Sequence, residues 1–348
     1  MYNVKIAGVG SFLPGRPITN RDMEHIFKIR EDWIEDSIGT KTRYFATNFE
    51  NKKIEYTLTD LCEKAALEAI EKASIGAKDI ELIVMSTATP DHLMPATVNL
   101  VADRLEINNI PTYQIQAGCS GALQGLEIAY RFLRSGVYRT ALVIGGDVCN
   151  KYIDVDRDFT KLRGYELINY ALFGDGAGAT VLTAEDGKQG IAIHSIQNCF
   201  EGLGREPGQV MNWFGTVPEK IDEMSMRDRR KVFQSAKEDY KAIEKNVPLM
   251  AKEMIDKLLN DNNWKADEID FYLPPQLGGH MTDKIVQYLE IDDKKVINCV
   301  AYTGNNGNGL PYIQLKQLIE KMNLGDKAIG VAIESSKWIK TGISLIRE

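Results

Sequence analysis

The chain has 348 residues, of which 44% are hydrophobic and 26% charged, the ordinary composition of a folded protein with one large domain or two smaller ones. It carries 42 Lys and Arg against 49 Asp and Glu, and the formal net charge of −7 argues against nucleic acid or an anionic membrane surface as a partner. No apolar run approaches the length of a membrane span, and the N-terminus lacks a secretory pattern.

Cysteine usage indicates a reduced, cytoplasmic protein. The five cysteines are odd in number and widely spaced, and none forms a Cys-x-x-Cys pair. The four histidines show no metal-ligand spacing. We therefore expect neither structural disulfides nor a metal site, and we expect most of the cysteines to be small buried residues.

Short apolar runs alternate with helical patterns along the whole chain. In the first half, strands are predicted at 4–9, 81–89, 112–116, 140–144 and 176–183, and helices at 59–74, 95–105 and 119–134. In the second half, strands are predicted at 269–273, 296–300, 328–333 and 342–346, and helices at 229–259, 282–289 and 309–322. This βαβ alternation predicts an α/β fold with a covered, largely parallel sheet.

The two halves follow the same order of elements. Gly118–Gly121 opens a helix after a strand, and so does Gly304–Gly307. A repeat of about 185 residues is too long for a solenoid and indicates a duplicated α/β unit. We expect residues 1–183 and 184–348 to form two pseudo-symmetric halves whose helix starts meet near a pseudo-two-fold axis. A chance overlay of generic βαβ units is the alternative.

A different kind of segment lies between the matching parts of the two halves. Residues 201–226 are rich in Gly and Pro and carry Trp213 and Phe214. A loop of this length is usually a lid or a binding loop, so both aromatic residues are candidates for substrate binding. The alternative is a surface insertion whose aromatic residues pack on a dimer partner.

Basic residues follow this insertion in an otherwise acidic chain. They are Arg227, Arg229, Arg230 and Lys231. They form either a patch that steers an acidic protein partner or a solvated helix start with mixed charges.

The segment around Cys119 has the character of a nucleophile site. It reads Gln116-Ala-Gly-Cys-Ser-Gly-Ala-Leu123, so a strand ends, small residues turn the chain, and the cysteine begins a helix. A helix N-terminus carries partial positive charge and free N–H groups, which lower the pKa of a thiol and can hold an oxyanion. We therefore interpret Cys119 as a covalent nucleophile, with a buried structural cysteine as the alternative.

A second glycine-rich segment reads Phe173-Gly-Asp-Gly-Ala-Gly-Ala-Thr180 and precedes a strand. A dinucleotide-binding fingerprint has the order strand, glycines, helix, so this segment does not predict a nucleotide site. Its glycines instead predict a close approach of two backbones near the site.

Together these segments resemble the ketoacyl-ACP synthase III family, condensing enzymes of the thiolase superfamily. The resemblance runs nearly end to end and rests on Ile6–Pro14, Glu31–Ile34 with Gly39 and Arg43, Ser86–Asp91 with Pro95, Gly118–Gly121, Phe173–Gly178 and Gly304-Asn305. It implies the thiolase fold, an α/β fold of two pseudo-symmetric βαβ halves with stacked mixed sheets in a layered arrangement, usually as a homodimer. It also implies a ping-pong acyltransferase in which Cys119 takes an acyl group from acyl-CoA or from the phosphopantetheine of an acyl carrier protein (ACP), with no permanently bound cofactor.

The chain departs from the family where a histidine assists decarboxylation of a malonyl thioester. The family's Pro-His-Gln-Ala-Asn segment corresponds to Pro274–Gly278, so Pro275 stands at the position of the histidine. Proline can neither accept a proton nor donate a side-chain hydrogen bond. The family's second asparagine corresponds to Asn305, and Gly304 beside it is a candidate for substrate binding.

Two residues are candidates to replace the histidine. His280 follows the same strand by a few residues, and its alternative is a solvent-facing loop histidine. Glu334 follows a strand as Asp147 does in the first half, and a buried carboxylate there can act as a base; the alternative is an ordinary strand-end glutamate. Ser336 lies where the family has a glycine run, so its backbone N–H can contribute to an oxyanion hole.

Trp33 matches the family position that stacks on the adenine of CoA, whereas the arginine that shares this task corresponds to Ser37. The alternative for Trp33 is a half-buried helix residue. The leading interpretation is an acyltransferase that passes the acyl group from Cys119 to a carbon, oxygen or nitrogen nucleophile in specialised lipid or polyketide metabolism. The alternatives are a decarboxylating synthase of fatty-acid initiation, a non-catalytic subunit paired with an active paralogue, and a module that holds an acyl chain without turnover.

Overall fold

The structure is a computed structural model that describes residues 2–152, 158–162, 164–184, 190–211, 225–226 and 236–348. Its strands are β1 (Lys5–Phe12), β2 (Ile18–Thr19), β3 (Thr42–Arg43), β4 (Thr47–Asn48), β5 (Lys53–Ile54), β6 (Leu82–Thr87), β7 (Thr112–Gln116), β8 (Thr140–Val148), β9 (Asp175–Thr183), β10 (Ile191–Phe200), β11 (Gln209–Met211), β12 (Ala236–Glu238), β13 (Phe271–Leu273), β14 (Lys327–Glu334) and β15 (Ile339–Arg347). Its helices are α1 (Asn20–Phe27), α2 (Glu31–Ser37), α3 (Leu58–Lys72), α4 (Thr97–Arg104), α5 (Gly121–Ser135), α6 (Gly164–Leu172), α7 (Tyr240–Asn262), α8 (Gly279–Tyr288), α9 (Val300–Thr303) and α10 (Leu310–Lys321).

The main sheet shows the internal duplication directly. Its strand order is β13-β14-β15-β10-β1-β9-β8-β6-β7, with β1 and β10 paired at the junction of the halves. Outward from that junction, each half has two antiparallel pairs and then a parallel pair: β1-β9-β8-β6 in the first half and β10-β15-β14-β13 in the second. The predicted α/β fold with two pseudo-symmetric halves is confirmed, although parallel pairing is confined to the outer strands of a mixed sheet.

The helices α5 and α10 lie between the two halves and position the site. Helix α5 contacts β6 and β8 of the first half and β10 and β15 of the second, while α10 contacts β1, β9 and β13. Because both helices are covered on several sides, their apolar residues go most of the way round the helix. Helix α3 covers the outer face of the first half, and α7 covers that of the second.

Two element predictions in the second half are wrong. Residues 296–300 form no strand: Val296 makes an isolated bridge to Tyr272, and α9 begins at Val300. Gln276 explains this helix start, because its Oε1 accepts hydrogen bonds from the backbone N–H groups of Cys299 and Val300 at 3.0 and 2.9 Å. The predicted helix at 229–259 is α7, which begins at Tyr240 and whose start is capped by Asp239.

The segment that contains the 201–226 insertion is described mainly at its two ends. β11 pairs with β12 in an antiparallel ribbon at its base, and residues 212–224 and 227–235 lie outside the described residues. The division of the halves at residue 183 stays a prediction, with β9 ending at Thr183 and β10 beginning at Ile191. Within the described ranges, no helix combines the length and apolar character needed to cross a bilayer.

Candidate active site

Two loops meet where the central helices begin: the Cys119 loop (residues 117–120) before α5 and the Asn305 loop (residues 304–309) before α10. The side-chain amide of Asn308 donates a hydrogen bond to the carbonyl of Ala117 at 2.9 Å. A Cβ on Gly121 would collide with Oδ1 of Asn308, so only glycine allows this approach. The prediction that the two helix starts meet is confirmed.

The glycine-rich segment 173–178 packs against the Asn305 loop, as its pattern predicts. The backbone N–H of Gly174 donates to the carbonyl of Asn305 at 3.1 Å, and the amide of Asn306 donates to the carbonyl of Asp175 at 3.0 Å. The carboxylate of Asp175 accepts hydrogen bonds from Ala46 and Asn150. Burial nevertheless raises the pKa of Asp175 to about 7.

The pKa of the Cys119 thiol is shifted in the opposite direction from the one that the sequence predicts. Burial raises the pKa of Cys119 to about 12, and the charges of Glu334 and Asp147 act in the same direction. The predicted lowering of this pKa is therefore wrong. The physical reason is position: α5 begins at Gly121, so Cys119 lies just outside the first turn, and burial and two carboxylates outweigh the helix dipole. The resting residue is a thiol.

Glu334 lies directly against the Cys119 loop. It ends β14 with 6% of its surface exposed, and its Oε2 accepts hydrogen bonds from the backbone N–H of Gly118 at 3.1 Å and from Oγ of Ser120 at 2.7 Å. The hydroxyl of Ser336 donates to its Oε1. These donors fix the carboxylate beside the nucleophile segment, so of the two candidates to replace the histidine, Glu334 is the one that reaches it.

His280 lies elsewhere, and its interpretation as a replacement base is corrected. It is exposed at the start of α8, where its Nε2 is 2.6 Å from the carbonyl oxygen of Glu35 and its backbone N–H donates to Ile38 at 3.0 Å. These hydrogen bonds join α8 to the end of α2. The two glycines before His280 do not loosen the path toward Cys119, because Gly279 packs against the backbone of Gly39.

Asn305 is buried in the loop that meets the Cys119 loop, and within the described chain the hydrogen bonds of its side chain use only its oxygen. It is 4% exposed, its backbone N–H donates to Leu172 at 3.0 Å, and its Oδ1 accepts from the N–H of Gly307 at 3.1 Å. Its Nδ2 donates to no other residue in the described ranges. The same holds, among described residues, for the backbone N–H groups of Cys119 and Ser336, the two groups expected to hold an oxyanion.

The other residues that the sequence suggests for substrate or partner binding stay predictions. Gly304 has φ +70°, and a Cβ there would lie 2.8 Å from Cβ of the buried Arg43, so this position requires glycine for steric reasons. Trp33 is half-buried on α2 and packs against an apolar cluster that includes Phe159. Trp213 and Phe214 lie outside the described residues. So does the basic cluster of Arg227, Arg229, Arg230 and Lys231.

A polar cluster near Cys119 was not predicted from the sequence. Glu238 accepts hydrogen bonds from Nε2 of Gln209 at 2.9 Å and from Oη of Tyr240 at 2.7 Å, and Tyr240 also bonds to Asn169. The charge of Glu238 contributes to the raised pKa of Cys119. These residues come from three separate stretches around the insertion, so no local motif in the sequence announces them.

The described residues hold no group of three or more His, Cys, Asp or Glu side chains arranged to bind a metal ion. The chemistry at hand is that of a thiol, carboxylates, an amide and backbone N–H groups. A cysteine between two pseudo-symmetric sheet halves, just before a central helix, agrees with the thiolase fold that the sequence predicts.

The comparisons identify the family. The model for 3-oxoacyl-[acyl-carrier-protein (ACP)] synthase III matches residues 113–198, and the model for its C-terminal part matches residues 259–334. The beta-ketoacyl-[acyl-carrier-protein] synthase III of Clostridioides difficile is 32% identical over 308 residues, covering 88% of this chain and 87% of that protein. The corresponding protein of Desulfitobacterium hafniense is 29% identical and covers 99% and 100%. The chain belongs to the 3-oxoacyl-ACP synthase III family.

Solved structures with different degrees of sequence identity to this chain show the same fold. AbyA1, a tetronic acid condensing enzyme, is 41% identical with a TM-score of 0.91, and the match covers 99% of both chains. The 3-oxoacyl-[acyl-carrier-protein] synthase III of Aquifex aeolicus is 26% identical with a TM-score of 0.81, again over 99% of both. Xanthomonas campestris OleA, at 20% identity and a TM-score of 0.81 over 99% and 98%, shows the fold alone.

Proposed function

We propose that this protein is an acyltransferase in which Cys119 carries the acyl group as a thioester and Glu334 replaces the family's histidine as the proton-transfer group. The observation that carries the proposal is the placement of the Glu334 carboxylate, which accepts hydrogen bonds from Gly118 and Ser120 on either side of Cys119. The neighbouring Asn305 loop supplies an amide donor, and the likeness to AbyA1 and to the ACP synthases supports condensing chemistry.

In the loading step, Sγ of Cys119 attacks the carbonyl carbon of an acyl thioester. Because the resting thiol is protonated, its proton passes to the carboxylate of Glu334 as the new carbon–sulfur bond forms. The N–H groups of Cys119 and Ser336 stabilise the developing oxyanion. Collapse of the tetrahedral intermediate breaks the donor's carbon–sulfur bond, and the departing thiolate takes the proton from Glu334.

In the transfer step, the nucleophilic atom of the acceptor attacks the acyl carbon of the Cys119 thioester. Glu334 accepts the acceptor's proton, and the proton returns to the departing thiolate of Cys119. The free Nδ2 of Asn305 orients an acceptor carbonyl. Pro275 stands where the family has an imidazole, which favours an oxygen, nitrogen or pre-activated carbon nucleophile over a malonyl thioester that must lose CO2.

The partners follow from this chemistry. Acyl-CoA or acyl-ACP is the donor, and Trp33 is the candidate contact for the adenine of CoA. A homodimer is supported by β7, an edge strand with Tyr113 44% exposed and no described strand on its outer side. We place the enzyme in the cytoplasm and in specialised lipid or polyketide metabolism.

Intact-protein mass spectrometry tests the proposal with a panel of acyl-CoA and acyl-ACP donors. We expect the wild type to gain the mass of one acyl group, Cys119→Ser to gain none, and Cys199→Ser, a matched change at another partly exposed cysteine, to load normally. An adduct that persists in Cys119→Ser contradicts the nucleophile assignment. No adduct with any donor favours the alternative of a subunit that pairs with an active paralogue.

A further inference from the structure

Ser120 stands at the N-cap of α5, but its side chain does not cap the helix. A serine at this position usually accepts a hydrogen bond from a backbone N–H of the first turn. Here its Oγ lies 2.7 Å from Oε2 of Glu334 and 2.7 Å from Nε2 of Gln124. The side chain of Ser120 is fully buried, so these two groups, rather than bulk water, determine how its hydroxyl points.

The chemistry of the three groups sets the direction of both hydrogen bonds. Nε2 of Gln124 is a donor only, so Oγ of Ser120 accepts its hydrogen bond. A hydroxyl has one proton, and because Gln124 donates, that proton is left for the carboxylate of Glu334. The reversed amide of Gln124 would take this proton instead, and Oε2 would then face an oxygen with no proton between them. The arrangement is therefore the one that suits an ionised Glu334.

Gln124 reaches Ser120 from the solvent side of α5. It lies one turn after Ser120, and its backbone N–H donates to the carbonyl of Ser120 at 3.0 Å. Its side chain is partly exposed in an open groove of about 510 Å³, which Glu127, Arg131 and Asn198 also line. Within the described chain, Ser120 is the one residue that hydrogen bonds to its amide group. A substitution at Gln124 therefore changes the partner of Ser120 without opening a hole in the core.

We propose that Gln124 is a positioning residue for Glu334: it directs the hydroxyl proton of Ser120 to the carboxylate, which stays ionised and aligned to accept the proton of Cys119. A hydrogen bond donated to a carboxylate favours its charged form, and a hydroxyl that points away withdraws this support. The inference rests on the proposed function. It adds that the base depends on a side chain one helical turn beyond the Cys119 loop.

Two substitutions change the direction of the Ser120 proton in different ways. Gln124→Glu keeps the size of the side chain but offers only acceptors, so the hydroxyl turns toward it and away from Glu334. Gln124→Leu removes donor and acceptor together and leaves the hydroxyl free to point either way. We expect acylation of Cys119 at pH 7 to be about tenfold slower or more in Gln124→Glu, and about 2- to 10-fold slower in Gln124→Leu.

The readout is the pH dependence of acylation, measured by intact mass in single turnovers with acetyl-CoA and octanoyl-CoA from about pH 5 to about pH 9. A general base must be ionised to act, so the rate rises with pH until Glu334 is ionised. Gln124→Glu should move this rise to higher pH by about one pH unit, a tenfold loss of rate on the acidic side. Other charged groups that act on Cys119 or line the groove stay the same in every variant: Asp147, Glu238, Glu127 and Arg131.

A double-mutant cycle with Ser120→Ala separates the hydrogen bond from the added charge. The charge that Gln124→Glu introduces is present in both backgrounds, but only the wild-type background has a hydroxyl that can turn. We expect Gln124→Glu to slow acylation little further once Ser120→Ala is present. Equal effects of Gln124→Glu in the two backgrounds overturn the inference, because charge alone then explains them.

Controls keep the outcomes distinct. Gln287→Glu makes the same change at an exposed position of α8 and should leave acylation as in the wild type. Melting temperatures identify variants that have lost the fold, and Gln124→Leu carries the test if Gln124→Glu is unstable. If Glu334→Gln acylates slowly while both variants of Gln124 match the wild type at every pH, the inference fails and the proposed function stands. If Glu334→Gln acylates as fast as the wild type, or the wild type never acylates at Cys119, the proposed function fails instead.

Discussion

Asp147 and Glu334 occupy equivalent places in the two halves, and their surroundings differ. Asp147 lies six residues after Ala141 on β8, and Glu334 lies six residues after Ala328 on β14. Each of these alanines pairs with the first residue of the neighbouring parallel strand, β6 or β13. Each carboxylate also crosses to the loop of the other half. Asp147 accepts hydrogen bonds from the backbone and side chain of Asn308, both at 2.8 Å. Glu334 does the same toward the Cys119 loop.

The two carboxylates differ in the hydrogen-bond donors that surround them. Asp147 is 1% exposed, and its second oxygen is surrounded by donors of its own half. These are the hydroxyl of Thr87, the N–H of Ala88, and the N–H and hydroxyl of Thr89. Glu334 has a longer side chain and bonds instead to the loop that carries the nucleophile. The same position of a duplicated fold therefore joins the two halves in one copy, and in the other copy the proposed function assigns it to proton transfer.

The largest expected effect comes from removing Cys119, the proposed nucleophile. Cys119→Ala should abolish the acyl adduct and lower turnover by about 10³-fold or more, because no other residue forms the thioester. The melting temperature should change little, since the substitution removes only a sulfur atom. Intact mass and steady-state assays measure both effects, and an undiminished turnover would contradict the account.

Glu334→Gln is expected to have the next largest effect on the reaction. The amide keeps the size of the side chain but cannot accept a proton, and loss of a positioned acid–base group typically costs about 10²–10⁴-fold. Both loading and transfer should slow. Thermal unfolding should stay near that of the wild type, because the new NH2 group takes the place of Oε1, whose partner is the Ser336 hydroxyl. A hydroxyl can turn to accept a hydrogen bond, and the amide oxygen keeps the donors Gly118 and Ser120. A variant that unfolds early and is otherwise active would make Glu334 a clamp like Asp147.

Asp147→Asn should show the opposite pattern. One of its oxygens becomes an NH2 group that faces existing donors, so we expect about 1–3 kcal/mol of lost stability. The activity of the molecules that remain folded should be close to that of the wild type. Denaturant unfolding and an active-site titration by mass measure these separately, and normal stability with slow transfer would refute the clamp role.

The raised pKa of Cys119, which is caused by burial and by the two carboxylates, predicts how the reactivity of the thiol depends on pH. With the thiol pKa raised to about 12, the thiolate fraction rises about tenfold per pH unit and does not level off below that value. Iodoacetamide labelling of Cys119, followed by peptide mass mapping, should therefore accelerate steadily between pH 7 and about pH 10. A rate that levels off near pH 8.5, the region of an ordinary thiol, would show that the carboxylates and burial do not hold the proton on sulfur.

Pro275→His should have the smallest effect, a gain of slow decarboxylation. Pro275 is buried after β13, and a histidine at this position restores the imidazole of the family pattern. We expect measurable CO2 release from a malonyl thioester in the variant above the wild-type level. If none appears in a folded variant, Pro275 is not the vacated position of the histidine.

The sequence predicts the architecture well because its signals are local or repeated. Helix starts, strand ends and the internal repeat lead to the meeting of the Cys119 and Asn305 loops and make Glu334 one of two candidates to replace the histidine. The pKa of Cys119 is a sum over burial and distant charges, which a helix-start pattern does not contain. His280 fails for a similar reason, since closeness in sequence to Pro275 says nothing about its hydrogen bond to Glu35.

The most direct test follows the decay of an isolated acyl-Cys119 enzyme after acceptor is added, in the wild type, Glu334→Gln and Asp147→Asn. Long incubation with donor loads all three proteins before the excess is removed. The account predicts rapid loss of the adduct in the wild type and in folded Asp147→Asn, and an adduct that persists in Glu334→Gln. Equal decay in the wild type and Glu334→Gln would contradict the assignment of Glu334 as the proton-transfer group.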